Sequence, residues 1–181
     1  MKDFARQNQL LSLCGLNCGL CPMNLGKYCP GCGGGEGNHS CAVARCGIEH
    51  NNPEYCFECG NYPCNKYEHI DDYDSFITHQ RQKADLKKAK KGGIENYNNC
   101  QREKVEILKT LLSEYNDGRR KTFFCLAVNL LELSDIKSAL IRIEEKDMDG
   151  FTLKEKSEFA VSVFNETAEK KNIRLKLIKK K

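Results

Sequence analysis

The clearest periodicity lies in the second half of the chain. Val105, Leu108, Leu112 and Tyr115 recur at spacings of three and four, which places them on one helical face, and Asn116, Asp117 and Gly118 end the run. From Thr122 to Leu131 the chain is apolar nearly all round, through Phe123, Phe124, Leu126, Val128, Leu130 and Leu131. That pattern predicts a buried central helix, with a strand as the competing reading of so short a run. Ser134 is expected as an N-cap with Asp135 beside the positive end of the helix dipole, and Ile136, Ala139, Leu140 and Ile143 follow at helical spacing to a stop at Asp149 and Gly150. Thr152 and Glu155 form a T-x-x-E capping box for a helix reaching about Lys171, with Ala160, Val163, Phe164 and Thr167 facing inward. Ile173, Leu175 and Leu177 alternate with Arg174 and Lys176, the pattern of a short half-buried strand.

Nearer the N-terminus, residues 65 to 91 read as a helix, with Ile70, Tyr73 and Ile77 at helical spacing and Gly92 and Gly93 as its stop. Residues 14 to 66 show no period at all. They carry a glycine-rich stretch from Gly31 to Gly37 and all four prolines, so turns are expected, with one helical turn near residues 42 to 48. Only five Leu, Ile or Val side chains fall between residues 14 and 64. So little apolar surface cannot offset about 1–2 kcal/mol of backbone entropy per ordered residue, and a crosslink has to supply the difference.

Cysteine is the obvious crosslink. Ten of the twelve lie in this segment: Cys14, Cys18, Cys21, Cys29, Cys32, Cys41, Cys46, Cys56, Cys59 and Cys64. Three gaps are C-x2-C, the spacing that brings two thiolates from one tight turn to one metal ion. Residues 1 to 13 mix charges and amides with few apolar residues and form no signal peptide, and no apolar run approaches the ~20 residues of a membrane span. A cytoplasmic chain with thiols kept reduced is expected, which favours metal over disulfides. Two closed four-thiolate zinc sites account for eight cysteines; His39 and His50 would raise the donors to the twelve that three sites need. One grouping puts Cys18, Cys21, Cys29 and Cys32 on one ion and Cys41, Cys46, Cys56 and Cys59 on another, and interleaved pairings fit the spacing as well. An iron–sulfur cluster uses the same four thiolates and is the alternative cofactor. The spacing C-x3-C-x2-C at Cys14, Cys18 and Cys21 is similar to that of radical enzymes that use adenosylmethionine, but the strand–helix alternation of their barrels is absent.

Charge adds little specificity. Of the net +4, none comes from residues 1 to 66, where five basic and five acidic side chains cancel. The excess sits in residues 79 to 91 and 170 to 181, where lysine runs suit a solvated helix face and a tail, or a phosphate backbone. Cys100 and Cys125 stand apart from the cluster, Cys125 as a small apolar residue of the central helix. His69 and His79 are expected on the exposed face of the 65–91 helix. Phosphate-loop, dinucleotide, nucleophile-elbow and H-E-x-x-H motifs are absent, so no enzyme class is named.

The run Cys14-Gly15-Leu16-Asn17-Cys18-Gly19-Leu20-Cys21, then Cys29-Pro30-Gly31-Cys32, the pair Cys41 and Cys46, and Cys56-Phe57-Glu58-Cys59 with Tyr62-Pro63-Cys64 resemble a prokaryotic cysteine-rich family catalogued as a domain of unknown function, number 3795. Residues 73 to 78 and 115 to 119 are similar to its longer members. The resemblance implies that all ten cysteines belong to one metal-binding module, and it carries no reaction. The expected protein is mainly α: an irregular, metal-stabilised module over residues 1–66 and a helical domain over 67–181, serving as an interaction or regulatory module for a protein partner, with nucleic acid as a second class of partner and no membrane.

Overall fold

The structure, a computed structural model, describes residues 4–35 and 41–180. Among these the chain is mainly α, with no strand. Its helices are α1 (Pro22–Leu25), α2 (Ala42–Glu49), α3 (Gln82–Gly92), α4 (Ile94–Glu114), α5 (Lys121–Leu130), α6 (Leu133–Glu144) and α7 (Leu153–Glu169), with 3-10 turns at Cys18–Leu20, Cys56–Glu58 and Asn65–Tyr67. No helix among the described residues is long and apolar enough to cross a membrane.

Two compact units divide the chain after Arg102, inside α4, and the stretch from Leu177 onward belongs with the first. The composition boundary at residue 66 therefore falls within the first unit. The reason is the apolar shortage of the cysteine-rich segment, which completes its core from later residues: Leu11, Cys14, Tyr55 and Tyr67 pack with Leu86 and Ala89 of α3 and with Tyr97. Gly15 lets the segment approach α3 closely, since its φ is +99° and a Cβ there would stand 2.5 Å from the Gln82 carbonyl oxygen. A buried polar network locks the same junction. Tyr97 donates to Asn17 Oδ1 at 2.8 Å, Asn17 Nδ2 donates to Asp85 Oδ2 at 2.8 Å, and Gln82 Nε2 donates to the Cys14 carbonyl at 3.2 Å.

The expected helix over residues 65–91 is regular only from Gln82. Residues 68 to 81 are turns, because short polar side chains there bond the backbone in place of the helical ladder. Asp74 organises them: Oδ1 accepts from His79 N at 2.6 Å and from Thr78 Oγ1 at 3.2 Å, while Oδ2 accepts from Gln80 Nε2 at 2.9 Å. Its second partner explains the missing C-terminal strand. Ile178 N donates to Asp74 Oδ2 at 2.7 Å and its carbonyl accepts from Asp74 N at 2.7 Å, so the tail is fixed at one residue and forms no ladder. In α3 the buried face is Gln82, Asp85, Leu86 and Ala89, which turns Lys87, Lys88, Lys90 and Lys91 outward.

In the second unit the helical reading of residues 122–131 holds over the strand, and α5 is buried from Phe124 to Leu130. Phe124 meets Phe164 of α7 edge-on at 6.1 Å between ring centres, and α7 also packs along α6. The capping box is present, with Thr152 accepting from Glu155 N and Glu155 Oε2 accepting from Thr152 N at 2.8 Å. Ala160, Val163, Phe164 and Thr167 are buried as expected. Two boundaries differ. Glu132, not Ser134, precedes α6, and that helix ends at Glu144, before Asp149 and Gly150.

Candidate functional site

The ten clustered cysteines form no disulfide and divide into two sets, six and four. Cys14, Cys18, Cys21, Cys29, Cys32 and Cys41 line a cavity of about 480 Å³. Cys46, Cys56, Cys59 and Cys64 line a second, of about 30 Å³. Cys18, Cys21, Cys29 and Cys32 thus share a chamber with Cys14 and Cys41, and Cys64 stands with Cys46, Cys56 and Cys59. Helix α2 separates Cys41 from Cys46. Cys41 precedes it and Cys46 lies five positions on, about 140° around the axis.

Among the described residues no three Cys, His, Asp or Glu side chains converge closely enough to hold a metal ion as they stand. The thiols line the two cavities without meeting at a point. Burial, the dominant cause, pushes the Cys14 thiol up to about 11 and the Cys18 and Cys56 thiols up to about 12. Such groups are neutral at pH 7 unless a cation draws off their protons.

Donors are already directed at several of these sulfurs. Ser12 Oγ lies 3.3 Å from Cys14 Sγ, and the Leu16 N–H also lowers that thiol. The Cys32 N–H lowers Cys18, and the Leu13 N–H lowers Cys32. Arg6 is the nearest buried cation. Its side chain is 1% exposed, donates through Nε and Nη2 to the Glu54 carbonyl at 2.9 and 2.6 Å, and acts on Cys32.

At the four-thiol site Tyr67 is 4% exposed, and its hydroxyl finds no well-formed hydrogen bond; it faces the Cys56 thiol and lowers that group. An orphaned buried hydroxyl costs free energy unless a charged acceptor arrives, and a metal-bound thiolate is such an acceptor. His50 borders the same cavity, yet both ring nitrogens are engaged. Nδ1 donates to the Cys46 carbonyl at 2.8 Å and Nε2 accepts from Asn61 Nδ2 at 3.3 Å, which leaves four thiols as the donor set. His39 lies outside the described residues.

Three participants were not legible as such in the sequence: Arg6, Tyr67 and His79. His79 sits in the wall of the large chamber and not on a helix face; Nδ1 donates to the Ile70 carbonyl at 3.0 Å and Nε2 accepts from Ser75 Oγ at 3.1 Å. His69 is exposed beside Asp72 as expected of a surface residue. Cys125 is 3% exposed within α5, the packing role its neighbours suggested, and Cys100 is exposed on α4. Comparisons with protein-family models, curated proteins and solved structures found no match.

Proposed function

We propose that this chain is a metal–thiolate protein of the reducing cytoplasm, in which bound metal replaces the missing core of the first unit and the whole serves as an interaction or regulatory module. One observation carries the reading: four thiols and a buried tyrosine hydroxyl that faces Cys56 without a well-formed hydrogen bond surround a cavity of about 30 Å³, room for an ion and little else. Cys46, Cys56, Cys59 and Cys64 would hold zinc tetrahedrally, with Tyr67 donating to the Cys56 sulfur. Four thiolates leave zinc no open position for substrate, so its binding energy goes into folding. The chamber thiols form a second metal-binding set by the same donor chemistry.

Zinc analysis of the purified chain tests the four-thiol site. Wild-type protein is expected to retain zinc there, and Cys59→Ser to lose one equivalent; equal zinc in both would sink the assignment. A nucleic-acid backbone is the second class of partner, favoured by the outward lysines of α3. Its mark is an affinity that falls steeply with salt.

A further inference from the structure

We propose that the six-thiol chamber binds a polynuclear iron–sulfide cluster, while the four-thiol site takes the zinc. This rests on the metal–thiolate reading above and divides it between two metals. The two cavities differ by more than tenfold in volume, about 480 against about 30 Å³, although both are walled by cysteine. A single zinc ion needs its four sulfurs at about 2.3 Å from one point. A four-iron cluster places each thiolate on a different iron, so its ligands stand around a volume.

The chamber's surroundings fit that larger, anionic group. Cluster stability depends on hydrogen bonds to sulfur, on compensation of net negative charge and on exclusion of water. Cys14 has the Ser12 hydroxyl at 3.3 Å, and backbone N–H groups address Cys14, Cys18 and Cys32. Arg6, withdrawn from solvent and paired with the Glu54 carboxylate at 3.4 Å, places its guanidinium beside the chamber and reaches the Cys32 carbonyl at 3.4 Å. Phe4, Leu16 and Ile77 contribute apolar wall. His79 does not compete as a ligand, because both of its nitrogens are engaged. Six thiols exceed by two the four a cubane requires, and Cys41, the exposed member of the set, is one of the surplus pair.

The test uses the full chain, stripped of metal under reductant and without oxygen, freed of excess reductant, then offered ferric and ferrous iron in equal amounts with sulfide or, in a parallel arm, zinc alone. The expected result is about four iron ions and four acid-labile sulfides retained per chain, with broad visible absorbance that bleaches on reduction. Cys18→Ala and Cys32→Ala should each lose iron and sulfide while keeping zinc, and Cys59→Ala should show the reverse. Should a variant fail to fold, the iron, sulfide and zinc content of the wild-type chain still decides. Zinc filling the chamber with no sulfide retained overturns the cluster and leaves the metal–thiolate reading standing. Retention of neither metal overturns both.

Discussion

Two side chains whose roles come from what surrounds them give the sharpest tests at the residue scale. Tyr67 is buried with an unsatisfied hydroxyl beside Cys56. Tyr67→Phe removes the donor and keeps the ring, so zinc affinity at the four-thiol site is expected to fall by roughly tenfold or more, as outer partners of metal ligands typically show. Competition with a chromophoric chelator measures it, and unchanged affinity would remove Tyr67 from the site. Asp74 accepts from His79, Thr78, Gln80 and Ile178. Asp74→Ala leaves those donors without their acceptor and should cost about 1–3 kcal/mol. Hydrogen exchange should then accelerate at His79 and Ile178 together, since one carboxylate holds both.

Among the elements, α7 offers a pH-dependent prediction. Glu155 is held below the usual carboxylate range, first by the Thr152 N–H and then by the Thr152 hydroxyl. A carboxylate with a lowered folded pKa stabilises the fold fully above its ordinary range, and that contribution disappears as pH falls through the lowered value. The protection of amides in the first turn of α7, taken against the intrinsic exchange rate at each pH, should therefore fall on acidification, and Glu155→Gln should remove that dependence. Elsewhere, the existence of α4, α6 and α7 and the inward faces of α6 and α7 were readable from period, while the ends of α6 and the full buried face of α4 were not. In α4 the fully buried positions include Leu108 and Leu111, and Lys104 is buried too because its ammonium reaches the Leu131 carbonyl at 2.6 Å, just past the end of α5. Periodicity assigns a lysine to solvent, and no local signal reveals a carbonyl twenty-seven residues away. The turn at residues 68–81 escaped for a similar reason. Ile70, Tyr73 and Ile77 keep helical spacing, but Tyr73 is exposed and Asp74 has taken over the backbone hydrogen bonds.

For the whole molecule, the division into two units predicts unequal dependence on metal. A chelator should melt the first unit and leave the helicity of α5, α6 and α7, which bury Phe124, Ile143 and Phe164 without help from the ten clustered cysteines. Circular dichroism with limited proteolysis would show this as partial loss; full retention or complete collapse would contradict it. The sequence alone determined that the chain is mainly helical, that ten cysteines cluster within residues 14–64, and that this segment lacks apolar side chains for a core. Those are properties of composition and short-range spacing. Which cysteines face which cavity, the pairing of Tyr67 with Cys56, the place of Arg6, and the extension of the first unit to Arg102 were decided only by tertiary structure. The reason is physical. A thiol-rich segment without a period has no face of its own, so its arrangement is set by the surfaces it packs against, here α3 and Tyr97.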